Sequence, residues 1–553
     1  MRSPVVPAPT WPPETASRYR ALGYWTGETF SDFVADRTTR YAGRLALVGQ
    51  DAHGVEVRWT YAELAQQSER AAGRLAAAGT TAGDRVVIAV PNIVEYVATV
   101  LGVFRMGALP VFALPTHREV ELVQFCTITD AAVLVGCGTD LDLRALHAKV
   151  AEAVHARDVE PPALVDVATW TDSSGERGDV PLSTLGAEDL AFLQLSGGTT
   201  GTAKLIPRTA ADYLYSVRAS AEICGLDDST VMLVVLPASH NFAMSSPGIL
   251  GVLDRGGRVV LGRDPSPRSG FALIARERVT TVALVPPLAQ AWISAARRRG
   301  PDLTSLRSVQ VGGARLNDVT AREVEPVLGA RLQQVFGMAE GLVNYTRDGH
   351  GGDPRDSDDL VLTTQGTPIS ADDEIRVVDE ADDDVPDGEE GALLTRGPYT
   401  IRGYYRAEAV NETSFTTDGF YRTGDLVRRL PSGHLQVTGR DKDQINRAGE
   451  KIAAEEIEAH LLAHPDLLDA VAIGLPDAYL GERVCAVLRT EPGREPPADP
   501  AGWLRAAGLA TYKIPDDFVF LDEFPRTHVG KNSRRELRTL LAARLAGQPL
   551  TTT

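Results

Sequence analysis

Cysteine is scarce in this chain: its four residues, Cys126, Cys137, Cys224 and Cys485, lie far apart and form no ligand spacing. That scatter argues against a disulfide framework and against structural zinc, and it suits a reducing cytosol, so a cytoplasmic location is expected. Long apolar runs are missing too, and no uncharged stretch reaches the length of a membrane span. The start, with Pro4, Pro7, Pro9, Pro12 and Pro13, carries neither an apolar signal core nor an Arg/Ser-rich transit helix and is expected on the surface. Positive charge is in deficit: a formal balance of −18 disfavours docking on a phosphate backbone, so no nucleic-acid partner is expected. Much of the excess is local, in Asp372-Asp373-Glu374 and residues 379–390, which read as a solvated hairpin tip. No repeat of fixed period occurs, which excludes solenoids and propellers.

What remains is the composition of a folded enzyme. Hydrophobic residues at 43% and charged residues at 24% suit a soluble globular chain, and 553 residues exceed one ordinary core. Short apolar runs alternate with helical spacing. Residues 85–90 (Arg-Val-Val-Ile-Ala-Val) read as a strand, and the segment through Val97 and Val100 to Phe104 as a helix. Residues 259–261 and 282–285 read as buried strands around a helix at 271–278, which is α/β layering. Near residues 433–444 the character changes from Gly- and Thr-rich turns between β-like runs to a compact α+β pattern, with a helix at 453–462 and a strand at 470–474. A boundary there gives a large N-terminal domain of mixed α/β subdomains, residues 1–438, and a small α+β C-terminal domain, residues 439–553.

The strand-like residues 190–195 run directly into Ser196-Gly197-Gly198-Thr199-Thr200-Gly201-Thr202-Ala203-Lys204. Glycines let backbone amides approach an anion, four hydroxyls can donate to phosphate oxygens, and Lys204 adds a point charge. The spacing is not Walker A, because the lysine stands three residues past Gly201. A flexible turn is the plain alternative, and a phosphotransferase or NTPase is a rival use of the same loop.

This loop resembles that of the adenylate-forming superfamily of acyl-CoA synthetases, nonribosomal-peptide adenylation domains and luciferases. So do Phe336-Gly337-Met338-Ala339-Glu340, Tyr421-Arg422-Thr423-Gly424-Asp425, Gly439-Arg440-Asp441-Lys442 with Gly449-Glu450-Lys451-Ile452, and Pro525-Arg526-Thr527-His528-Val529-Gly530-Lys531. Five motifs in family order make the resemblance specific. It implies ATP as co-substrate, Mg2+, and attack of a carboxylate on the α-phosphate, so that charge neutralisation and in-line placement dominate catalysis. By resemblance, Asp425 and Arg440 hold the ribose, Glu340 holds the metal, Gly313, Val335 and Gly337 border the adenine, and Lys531 is the principal catalytic cation. Lys442 is the hinge about which the small domain moves, and Gly449 borders a channel for a phosphopantetheine thiol, although an ordinary turn glycine reads equally well there.

The resemblance narrows at residues 236–248, 333–346 and 395–405 to the stand-alone aryl-acid AMP ligases, particularly the 2,3-dihydroxybenzoate type. It implies an acid pocket of Asn241, Phe242, Ser246, Gly312, Ala314, Val335 and Val343, with Ser246 facing a second ring hydroxyl. His240 is expected to shape or gate the pocket rather than act as a base, since a carboxylate is already ionised near neutral pH. Salicylate and 3-hydroxypicolinate are alternative acids. The acceptor implied is the phosphopantetheine of an aryl carrier protein acting in trans, or free CoA. Arg534, Arg535, Arg538 and Arg544 on a final helix could meet an acidic carrier or simply form a solvated face.

Overall fold

The computed structural model describes residues 7–545 apart from 140–141, 171–179, 181, 197–203, 351–353, 441–442, 448–449, 478–479, 508, 510 and 528–530. Among these residues the chain forms four sheets, and the two largest share one apolar core. The first is nine-stranded. Its centre is a parallel run in the order Arg331–Met338, Ser308–Gly312, Thr281–Leu284, Val231–Val234, Arg258–Leu261 and Leu45–Gln50, with antiparallel strands at both edges. The second has six strands, including Arg85–Ala89 and Leu109–Phe112, and ends in the antiparallel pair Leu190–Leu195 and Leu205–Thr209.

Helix Val94–Met106 shows why the sheets pack as they do. Every residue in it except Arg105 is buried, the pattern of a helix apolar on all sides and enclosed between layers. Its Gly102 lets the neighbouring helix Tyr61–Ala77 approach, since a Cβ there would lie 2.7 Å from the Ser68 carbonyl oxygen. The resulting cluster runs from Val86 and Ile88 through Phe104, Phe112 and Phe192 to Met232 and Val259, and it extends to Phe242, Val335 and Val343.

A third sheet is an antiparallel meander of Glu374–Val378, Glu390–Arg396, Tyr421–Arg429 and Leu435–Arg440. The acidic residues 379–389 join its first two strands, as the hairpin expectation required. They are not merely solvated: Asp382, Asp384 and Asp387 pair with Arg422, Arg376 and Arg429 of the same sheet. The remaining sheet gathers Ile445–Arg447, Glu450–Ile452, Leu467–Asp477, Gly481–Thr490 and Asp517–Phe520. Its two apolar clusters draw only on residues from Ile445 onward, so a small α+β C-terminal domain stands beside the large N-terminal one. The last helix, Arg534–Leu545, buries Leu537 and Leu541 four positions apart on one face. No helix among the described residues is long and apolar enough to cross a membrane.

Candidate active site

Three adjacent parallel strands of the large sheet, Val231–Val234, Thr281–Leu284 and Ser308–Gly312, end side by side. The residues just past those ends, Leu236, Pro237, His240, Phe242, Val285 and Gly313, line one small cavity together with Lys531 from the C-terminal domain. The carboxyl ends of parallel strands are where α/β sheets ordinarily place their ligands. Gly313 has φ +83°, a conformation that side chains other than glycine's rarely adopt, and it leaves room for the lysine: a Cβ there would stand 3.1 Å from Lys531 Cε. Lys531 is tied to Thr527: its N–H donates to Thr527 Oγ1 at 3.1 Å, and Thr527 N–H donates to its carbonyl.

Burial pushes the Lys531 ammonium down to about 8, helped by the Arg440 cation and opposed by Asp425. His240 is pushed down to about 4, first by burial and then by the Lys531 charge, so its ring is neutral near pH 7. Its Nδ1 accepts the Phe242 N–H at 3.3 Å and caps the short helix Asn241–Ser245, which leaves Nε2 to carry the ring proton. That helix carries Phe242 into the cavity lining, whereas Asn241, expected in the acid pocket, is not among the residues that line it. The Phe242 ring lies against Gly312, where a Cβ would be 3.2 Å from the ring carbons, and Val335 pairs with Gly312 across the sheet. Val343 pairs with Gly337, and Ser246 is buried at 4% exposure. Phe242, Val335 and Val343 thus belong to one apolar cluster.

A second group of polar residues lies on the meander side. Asp425 and Arg440 sit directly opposite each other on paired strands, and Arg440 Nε donates to Asp425 Oδ1 at 2.7 Å. Nearby, Tyr404 donates its hydroxyl proton to Glu340 Oε1 at 2.8 Å while its oxygen lies 2.9 Å from the Tyr421 hydroxyl. Burial, and then the Glu340 charge, push both phenols above their ordinary range, so both keep their protons and Tyr421 donates to Tyr404. Lys204 Nζ rests 4.6 Å from the centre of the Tyr404 ring. Ser196 and Lys204 close the base of the hairpin loop between Leu190–Leu195 and Leu205–Thr209, because Lys204 N–H donates to Ser196 Oγ and Ser196 N–H to the Lys204 carbonyl, each at 3.0 Å.

Lys531, His240, Phe242 and Gly313 are therefore brought together, with Glu340, Asp425, Arg440, Ser196 and Lys204 forming the polar flank. Gly197, Gly198, Thr199, Thr200, Gly201, Lys442 and Gly449 lie outside the described residues. Ala314, expected in the acid pocket, is exposed on the turn that follows Gly312 and lies outside the cavity lining. Arg534 is not part of a free basic face either: it binds Glu458 at 2.8 Å, Glu455 at 2.9 Å and Asp443 at 3.4 Å within the C-terminal domain. Tyr404 and Tyr421 were not assigned roles from sequence, although both occur within the motifs quoted above. Their significance rests on the contact of Tyr404 with Glu340, 64 residues away in the chain, and of Tyr421 with Tyr404, which no local pattern reports.

Comparison with known proteins agrees with this geometry. The AMP-binding enzyme family matches residues 34–405, and the AMP-binding enzyme C-terminal domain matches residues 456–531. The 2,3-dihydroxybenzoate-AMP ligase of Bacillus subtilis (strain 168) is 48% identical over 548 residues, covering 97% of this chain and 98% of that protein. A salicylyl-CoA synthase / salicylate adenylyltransferase from Streptomyces sp. is 46% identical over 552 residues, covering 96% and 97% respectively. Among solved structures, the apo structure of Mycobacterium smegmatis MbtA superposes with a TM-score of 0.72 at 41% identity, covering 96% of this chain and 98% of that one. The chain belongs to the AMP-binding enzyme family, and within it to the aryl-acid AMP ligases.

Proposed function

We propose that this enzyme uses ATP to activate a small hydroxylated aromatic acid, 2,3-dihydroxybenzoate first among candidates, as its aryl-adenylate. It then passes the acyl group to the phosphopantetheine thiol of an aryl carrier protein. The observation that carries the reading is the seat of Lys531, a cation from the small domain set over Gly313 at the ends of three parallel strands, beside His240 and Phe242. There its ammonium neutralises both the attacking carboxylate and the α-phosphate, two anions that would otherwise repel each other. In this reading Asp425 and Arg440 hold the ribose, residues 196–204 cradle the phosphates, and Gly313, Val335 and Gly337 border the base. Phe242, Ser246, Gly312, Val335 and Val343 enclose the ring.

Glu340 fits the role of a magnesium ligand. One of its oxygens accepts from Tyr404, and no hydrogen bond to the other is found among the described residues, which suits a metal that keeps several waters and binds through one or two carboxylates. When bound, the metal supplies charge neutralisation on the phosphates. We further place the domain boundary at residues 438 and 439, with a hinge at Lys442 and the thiol channel beside Gly449, in a cytoplasmic enzyme.

Salicylate is the second reading for the acid and CoA for the acceptor, both favoured by the 46% identity to the salicylyl-CoA synthase. The deciding experiment measures acid-dependent exchange of pyrophosphate into ATP over benzoates, hydroxybenzoates and pyridine carboxylates, with product analysis and both thiols. Exchange with hydroxybenzoates and release of AMP and pyrophosphate are expected. Release of ADP or phosphate, or no exchange with any acid, contradicts the reading.

A further inference from the structure

Asp469 stands among apolar residues of strand Leu467–Asp477 at 7% exposure, where the pairing with Gly481–Thr490 shifts register. A buried carboxylate is costly unless it is hydrogen-bonded. A register shift of this kind re-aims a side chain, and this one meets Asn532, the residue directly after Lys531. Asn532 Nδ2 donates to both carboxylate oxygens, at 3.2 and 3.1 Å, and the Ala470 N–H adds a third hydrogen bond at 3.0 Å. A carboxylate only accepts, so it fixes which end of the Asn532 amide faces it.

The chain on either side of Lys531 is anchored further. Arg526 pairs with Asn532 in an antiparallel bridge, and Ser533 N–H donates to the Pro525 carbonyl at 2.8 Å. Arg534 binds Glu458, which accepts the Ala472 N–H at 2.8 Å on the same strand as Asp469. In extended backbone, successive side chains point to opposite sides. With Asn532 drawn onto the C-terminal sheet, Lys531 is directed the other way, toward the large domain, where it lines the cavity beside Gly313 and His240. A lysine is a point charge on a flexible stem, so its reach depends on where its backbone is seated.

We propose that Asn532, clamped by Asp469, is a positioning residue that seats Lys531 in the cavity, and that the pair serves formation of the adenylate and not transfer of the acyl group. The proposal rests on the reading of Lys531 given above.

The test compares two half-reactions in Asn532→Ala: acid-dependent exchange of pyrophosphate into ATP, and transfer from preformed aryl-adenylate to a pantetheine thiol. Exchange should fall roughly tenfold to a hundredfold, the cost of misplacing a reacting group by about 1 Å, while transfer holds near the wild-type rate. The alkaline limb of exchange should also move above about 8, because a lysine released from its buried seat beside Arg440 and Asp425 regains water. Asp469→Ala should do the same, and the double variant should lose no more than either single one, since the two residues act through each other. A folded Asn532→Ala with unchanged exchange and limb, equal losses in both half-reactions, or additive losses in the double variant overturn the proposal. Should the alanine variants not fold, Asn532→Asp keeps the size of the side chain and sets a second carboxylate against Asp469; the same split is expected, and wild-type exchange overturns the proposal. Exchange at the wild-type rate in Lys531→Ala would instead refute the reading of the lysine itself.

Discussion

Gly313 and Lys531 belong to different domains, yet a Cβ on Gly313 would lie 3.1 Å from Lys531 Cε and 3.5 Å from its Nζ. Gly313 also has φ +83°, so a side chain there meets strain as well as crowding. Gly313→Ala should lower acid-dependent exchange about tenfold or more. Transfer of the acyl group from preformed adenylate to a thiol should suffer less, because the proposed thiol step does not use Lys531. Equal losses in both half-reactions would contradict this placement.

The Lys531 ammonium, pushed down to about 8, sets a pH limit. A lysine is charged below its pKa, so kcat/KM for exchange should fall as pH rises through about 8, since that parameter reports the free enzyme. His240, held near 4, stays neutral throughout and adds no limb between pH 6 and 9. A rate profile flat to pH 10 would contradict the assignment of the cation.

Tyr404→Phe removes the hydroxyl that donates to Glu340 Oε1 and leaves the buried Tyr421 hydroxyl without its acceptor. A cost of about 1–3 kcal/mol is typical for such a loss. The expected outcome is a fall in kcat/KM of severalfold to a hundredfold and a higher concentration of Mg2+ for half-maximal exchange. An unchanged Mg2+ dependence would separate Tyr404 from the metal.

Ser246 is buried beside the Phe242 helix at 4% exposure, where a hydroxyl needs a polar partner. Ser246→Cys should move the preference from 2,3-dihydroxybenzoate toward 2-hydroxybenzoate by roughly tenfold, the scale of one pocket contact. An unaltered acid profile would remove Ser246 from the ring's second position.

The α/β layering, the strands at 85–90, 190–195 and 282–285 and the motif residues were legible in the sequence because each depends on local pattern: period, turn chemistry or a short run of fixed residues. The strand observed at Thr281–Leu284 differs from the reading by one residue at each end, the usual play of element boundaries. What local pattern did not reveal is what holds those residues in place. Arg208, which belongs to none of the motifs, is buried and spans from Tyr213 to the Ala339 carbonyl, a contact made between distant elements. His240 read as a wall of the pocket, and its capping of the helix Asn241–Ser245 became visible only with the backbone in view. The basic final helix read as one face because sequence spacing does not show that Arg534 turns inward onto Glu455 and Glu458.

Lys531→Ala is the most direct measurement. The purified variant should melt as the wild type does while losing acid-dependent pyrophosphate exchange by at least about a hundredfold, the scale of one lost transition-state contact or more. Exchange at the wild-type rate in a folded Lys531→Ala protein would contradict the claim that this cation brings carboxylate and α-phosphate together.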